Sequence, residues 1–312
     1  MDLLFHFPDL FHLNTTAIDS AVRSFAVSAA VVLDAIKAFL NSFVNLISGA
    51  LSHIPWILII LLVAFLGWRA RGKIRSGVLY GVLLFLIGAL GLWEMMLVTL
   101  SVVLCSVLIA LVIGIPIGIL ISGSERANNI IRPILDTMQT MPVFVYLIPA
   151  LLLFGTGNAS GVIATVIYAV VPVIRLTSLG IRQVDKEVVE ASKAFGATRK
   201  QTLLKVQIPQ AMPTIMTGVN QTLMMAMAMV VTTSMIGVRG LGMEVLNAVN
   251  RIEIGRGLVA GSSVVILAIV LDRLTQSVSQ PGFKTSRKKE TPADSGSETD
   301  VSGEEGSGDN GQ

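Results

Sequence analysis

Few stretches of this sequence carry residues able to do chemistry, and most fail on spacing. GWRARGKI (67–74) sets Gly67, four residues, Gly72 and Lys73 nearly in register with a phosphate-binding loop. Ile74 stands where Ser or Thr would hold magnesium, and no α/β pattern follows. Cys105 is the single cysteine and sits in an apolar run, so it reads as a small packing residue. His6, His12 and His53 lack partners at metal-ligand spacing. GxSxG, HExxH and paired-carboxylate arrangements are absent from the sequence. The chain is therefore expected not to be an enzyme, to hold no metal and to bind no cofactor of its own.

The stretch with the most pattern is polar. EASKAFGATRKQTLLKVQIP (190–209) interrupts an otherwise apolar sequence. Over 184–195, Val184, Val188, Ala191 and Phe195 share one helical face. Asp185 suits the N-cap, and Gly196 the left-handed position just past a helix end. Thr198 with Gln201 fits a capping box opening a second helix. That helix should stop before Pro209, because the residue preceding proline avoids helical geometry. The spacing predicts two short helices hinged at Gly196. An ordinary amphipathic loop between membrane spans fits the same pattern.

The elements that must position this hairpin are membrane helices. The 312 residues are 53% hydrophobic and 14% charged, with mean hydropathy +0.75. Soluble domains carry about 25% charged residues. A span needs about 20 apolar residues, and seven runs qualify or nearly so: 54–68, 76–93, 95–121, 133–154, 159–181, 213–237 and 257–276. In the third run, Gly114, Pro116 and Gly118 form a small-residue pattern that admits a close neighbour. The fold class expected is all-α and integral to the membrane. Residues 17–50 have helical apolar spacing broken by Asp34 and Lys37, which predicts a helix lying on the membrane. Residues 281–312 are polar, rich in Gly, Ser and acids, and predict a disordered tail. The divisions are thus 1–53, 54–280 and 281–312.

Orientation follows from charge. Arg69, Arg71, Lys73 and Arg75 follow the first run without an acid, which places that loop in the cytoplasm. Alternation then puts the hairpin and the C-terminus inside and the N-terminus outside. The net charge of +3 comes from cations flanking apolar runs, so it argues for topology and against nucleic acid.

The hairpin resembles the EAA motif of ABC importer permeases. That signature is Glu-Ala-Ala, a glycine, then Ile-x-Leu-Pro at fixed spacing. Glu190, Ala191, Ser192, Gly196, Val206, Ile208 and Pro209 stand at those positions, with Ser192, Val206 and Ile208 as mild departures. The blocks at 136–157, 174–184, 219–242 and 264–276 are similar to permeases of glycine betaine, proline betaine and choline importers. The resemblance implies a bundle of about seven spans with a cytoplasmic coupling helix that docks on a separate ATPase. It further implies a second permease copy, an external substrate-binding protein, and ATP and magnesium held by the partner ATPase. A permease for another small solute, such as an amino acid, is the second reading.

Gln139, Thr140 and Tyr146 lie beside Pro142 and Pro149 in the fourth run. Two prolines in one apolar segment suit backbone that faces a cavity. Tyr146 has a ring face for a quaternary ammonium, yet packing explains it equally, and aromatic cages need several rings. The run LMMAMAMVV (223–231) fits an adaptable helix face or plain packing.

Overall fold

The computed structural model describes residues 15–279, and the proposed tail and the first fourteen residues lie outside that range. The described residues form helices and no strand. In chain order these are α1 (Thr15–Ser28), α2 (Ala30–His53), α3 (Trp56–Arg71), α4 (Ile74–Ala89), α5 (Trp93–Ser122), α6 (Glu125–Thr140) and α7 (Val143–Phe154). They continue as α8 (Asn158–Arg182), α9 (Lys186–Ala194), α10 (Arg199–Thr202), α11 (Ile208–Ser234), α12 (Leu241–Arg251) and α13 (Ile254–Ser279).

The core is the seam among α5, α8 and α11. Lipid tails are as apolar as leucine, so helices in a bilayer associate by close packing, and small residues permit it. A Cβ on Gly118 would lie 2.7 Å from Thr177 Cβ and 2.8 Å from the Ile174 carbonyl oxygen. A Cβ on Gly114 would collide with Val173 Cγ1. Gly180 and Gly218 do the same between α8 and α11, against Thr214 and Leu176. Several hydroxyls buried in the seam are returned to their own helices, while those of Thr177, Ser178 and Thr222 have no hydrogen-bond partner among the described residues. Ser101, Ser106, Thr165 and Thr233 each donate to the carbonyl four residues back at 2.7–2.9 Å. No water is at hand to satisfy them otherwise.

Three expectations need correction. The run 133–154 is not one span: α6 and α7 meet at a 94° bend. Met141 precedes Pro142 and is extended (φ −68°, ψ 135°), the geometry that proline imposes on its predecessor. The α6 sequence is also polar, while α7 is apolar but only 12 residues long. Second, the N-terminal helix is two helices, and α2 joins the bundle. Leu40 and Val44 are buried with Leu147, Val162 and Met229 of α7, α8 and α11. At 24 residues α2 is also long and apolar enough to cross a membrane. Third, α3 and α4 have 16 residues each. That is about 24 Å, less than the roughly 30 Å hydrocarbon layer. They pack as an antiparallel pair, with Gly67 and Gly77 beneath Tyr80 and Trp68.

At the end of the bundle away from the hairpin, α12 folds back on the core. Leu241 N donates to Thr99 Oγ1 at 2.8 Å, and Arg256 Nε of α13 donates to Glu244 Oε2 at 2.8 Å.

The glycine seam gives a direct test. Gly118→Ala forces α5 from α8 and should cost about 1–3 kcal/mol, the usual penalty of overpacking. Gly261→Ala, with nothing within 4 Å of the new methyl, should be neutral or slightly stabilising. Thermal melts of the two variants in detergent would check this; equal melting points would refute it.

Candidate functional site

The hairpin is built as two capped arms. Asp185 Oδ1 accepts from Glu187 N at 2.9 Å and opens α9. At the other end Gly196 N donates to Lys193 O at 2.9 Å and Ala197 N to Ser192 O at 3.1 Å. This paired closure requires a left-handed residue between them, and Gly196 has φ +79°. Thr198 Oγ1 then accepts from Gln201 N at 3.3 Å, while Gln201 Oε1 accepts from Thr198 N at 2.8 Å. The capping box read from the sequence is thus present.

The second arm departs from expectation. It does not stop at Pro209. Leu203–Gln207 forms a π-helical turn, and Ile208 N donates to Leu203 O, five residues back. Proline has no N–H to give and its ring crowds the preceding turn. The wider turn absorbs both demands, so Arg199–Ser234 runs as one rod of 36 residues. Pro209 sits at the first turn of α11, where a missing donor costs little.

Two contacts that sequence reasoning missed lock this geometry. Ser192 Oγ and Thr202 Oγ1 lie 3.1 Å apart and tie arm to arm, with Thr202 only 2% exposed. Ser192, a departure from the EAA pattern, therefore has a structural use. Arg199 Nη2 donates to the Gly123 carbonyl oxygen at 2.9 Å, joining the hairpin to the end of α5. A cleft of about 410 Å³ lies between the hairpin and the ends of α5 and α8, with Glu190 on its wall. Ile208 packs with Ile181, Ala211 and Ile215, and Val206 is half-buried beside it in the chain.

The face of Val188, Ala191 and Phe195 points away from the bundle. Val188 is 38% and Phe195 93% exposed. Val184, at the near end of that face, packs with Ile181, Ala211 and Ile215, but Val188, Ala191 and Phe195 are exposed among the described residues, while Val189 and Ser192 turn inward.

The residues of the broken span are brought together differently. Gln139 and Thr140 are exposed at the bend, and Thr140 Oγ1 donates to Thr137 O at 3.0 Å. Tyr146 is 7% exposed. Its hydroxyl donates to the Met138 carbonyl across the bend, and its ring tilts against Tyr168 at 6.2 Å. It is the pin that holds α6 to α7. Gly67 lies inside α3, so the near phosphate-loop is the end of a helix. No cluster of three metal-ligating side chains occurs among the described residues.

Residues 110–280, which contain the hairpin, α8, α11 and the second half of α5, match the family described as binding-protein-dependent transport system inner membrane component. The chain belongs to this family. It is 49% identical over 264 residues to the glycine betaine/proline betaine transport system permease protein ProW of Escherichia coli (strain K12), covering 85% of this chain and 73% of that one. It is also 49% identical over 247 residues to the glycine betaine transport system permease protein OpuAB of Bacillus subtilis (strain 168), covering 78% and 86%. Against the glycine betaine/carnitine transport permease protein GbuB of Listeria monocytogenes, identity is 49% over 251 residues, with 77% and 89% covered. A solved chain of the MetNI methionine ABC transporter, in an inward-facing conformation, superposes with a TM-score of 0.50 at 22% identity. It covers 58% of this chain and 89% of that one, a likeness of fold. The protein is an integral inner-membrane permease subunit of an ABC importer, which implies ATPase and substrate-binding partners.

The capping box is open to a local test. Thr198→Ala should cost about 1 kcal/mol at that helix start, roughly a fivefold rise in local opening. Hydrogen exchange at the Gln201 amide should quicken by that factor, with core amides of α8 unchanged. An unchanged Gln201 rate would remove the cap from the account.

Proposed function

We propose that this permease carries a quaternary ammonium solute of the glycine betaine class into the cell, and that residues 184–209 couple it to a separate ATPase. The observation that carries the coupling role is the rigid hairpin. It presents an exposed apolar face through Val188, Ala191 and Phe195 and runs into α11 without a flexible joint. A rigid knob can pass on a rigid-body motion. Glu190, Ala191, Ser192, Gly196, Val206, Ile208 and Pro209 shape and anchor it. The three relatives at 49% identity, all named for glycine betaine, support that solute class over an amino acid.

In this reading ATP and magnesium belong to the partner ATPase, and the chain itself hydrolyses nothing. Two copies of the permease form the transport unit, and an external binding protein delivers the solute. Closure of the ATPase dimer moves both hairpins and opens the bundle outward; hydrolysis resets it. Gln139, Thr140 and Tyr146 border the path. The bend at 141–142 supports this, since broken backbone within a membrane belongs beside a cavity. The N-terminus lies outside and the C-terminus in the cytoplasm, because Arg69, Lys73 and Arg75 mark the turn between α3 and α4 as internal.

Uptake of labelled glycine betaine, with the cognate ATPase and binding protein co-expressed, tests the coupling. Gly196→Val places a branched side chain at φ +79° and should reduce uptake at least about tenfold, since such strain costs on the order of 1–3 kcal/mol. Membrane levels should hold. Gly196→Asn, a residue that tolerates this conformation, should retain most activity. Equal uptake by both variants would dismiss the hinge. No uptake by the wild-type complex, despite ATPase activity, would dismiss the betaine class alone.

Orientation has its own measurement. Cys105 is buried, so Asp34→Cys supplies the reactive thiol. An impermeant maleimide should label it in intact spheroplasts. Protection there, with labelling only after lysis, would mean that α2 crosses the membrane and the N-terminus is inside.

A further inference from the structure

A basic cleft of about 310 Å³, sharing Arg182 with the cleft beside the hairpin, opens between α6 and α8 near the hairpin end of the bundle. Asn128, Arg132, Arg175, Ser178 and Arg182 supply its polar lining. Asp136 pairs with Arg175, so that guanidinium is occupied. Arg132 and Arg182 have no carboxylate partner among the described residues. Ser178 is 5% exposed, lines the cleft, and its Oγ has no hydrogen-bond partner. A buried hydroxyl left unpaired costs free energy, which a ligand oxygen placed there would recover. Apolar side chains, Leu135 and Ile174 among them, complete the walls.

We propose that this cleft binds a phosphate group, presented by the headgroup of an anionic phospholipid. Two free guanidinium groups match phosphate oxygens by charge and by planar donor geometry. The amide of Asn128 and the hydroxyl of Ser178 add donors without charge. The apolar wall suits the glycerol and first methylenes of a lipid, where a soluble anion would gain nothing. Basic pockets between membrane helices on the cytoplasmic side take such headgroups. Arg175 and Arg182 are seven residues apart on α8, about 10 Å along the axis, which spans a headgroup layer. The orientation under the proposed function serves here only to name the leaflet, and the binding test does not depend on it.

The transporter assembled with its ATPase is released into native mass spectrometry after exposure to phosphatidylglycerol or phosphatidylcholine vesicle lipids. The wild type should retain phosphatidylglycerol in preference, one per permease copy from this site. Arg132→Gln with Arg182→Gln should weaken retention about fivefold for each arginine removed. Arg126→Gln, on the same helix but outside the cleft, should retain the lipid. Ser178→Leu fills the floor without altering charge and should lose the same lipid; it serves if the double variant fails to assemble. Equal retention by wild type and the cleft variants would overturn the proposal. Binding of inorganic phosphate that depends on Arg132 and Arg182, with no preferential retention of phosphatidylglycerol by the wild type, would keep the phosphate site and overturn the headgroup as its occupant.

Discussion

The structure turns on one continuity, the passage of the hairpin's second arm into α11 through the π turn at Leu203–Gln207. A proline at 209 would ordinarily open the backbone where a loop meets a membrane helix. Here Ile208 N reaches back to Leu203 O, and the hydrogen-bond ladder continues. Residues 199–234 thereby behave as one lever, part outside the apolar bundle and part within it. A coil at this point would let the hairpin move and leave the bundle still.

What the lever moves is set by the glycine seam. Gly180 and Gly218 bring α8 and α11 close enough that backbone and Cβ atoms touch, and Gly114 and Gly118 do the same for α5 and α8. Such contacts leave little room to slide, because displacing backbone against backbone cannot be absorbed by a rotamer change. Arg199 adds a short route from the hairpin to the end of α5. In the proposed coupling, displacement of the hairpin would thus be passed to three core helices together. α6 is the exception. It is joined to α8 at Asp136–Arg175 and to α7 through the Tyr146 hydroxyl. Leu135 also buries α6 against Ile121 of α5 and Val173 and Ile174 of α8, so the helix rests on the seam through one face, beyond which the chain bends by 94° into α7.

The local chemistry of the hairpin was legible because each device uses a residue type with few other uses. Asp185, Gly196, Thr198 and Gln201 are a cap, a left-handed closure and a capping box, and the structure holds all three. The continuation past Pro209 was hidden, since a π turn leaves no compositional mark. The bend at Met141–Pro142 was half visible. The prolines were noted, but hydropathy averages over a window and joined a polar helix to a short apolar one. The Ser192–Thr202 contact was hidden because it depends on how two arms fold together. Residues 17–50 were legible in part for a related reason. Their helical spacing is present, but the division into α1 and α2 and the burial of Leu40 and Val44 against α7, α8 and α11 depend on tertiary contacts.

The hairpin's two faces divide the labour, and the division explains why its sequence is neither fully polar nor fully apolar. The inner face closes with hydroxyls, caps and Ile208, which fix the shape before any partner arrives. The outer face leaves Val188, Ala191 and Phe195 in the open. A helix so short would not hold its form alone, and ordering it on contact would consume part of the binding free energy. Preformed, it would spend little on ordering in the proposed docking, for which a small apolar face would suffice. The same rigidity restricts what docking can do. With both arms capped and the second arm fused to α11, a force applied at Phe195 in the proposed coupling would not be dissipated by unwinding the tip but would reach the membrane helices.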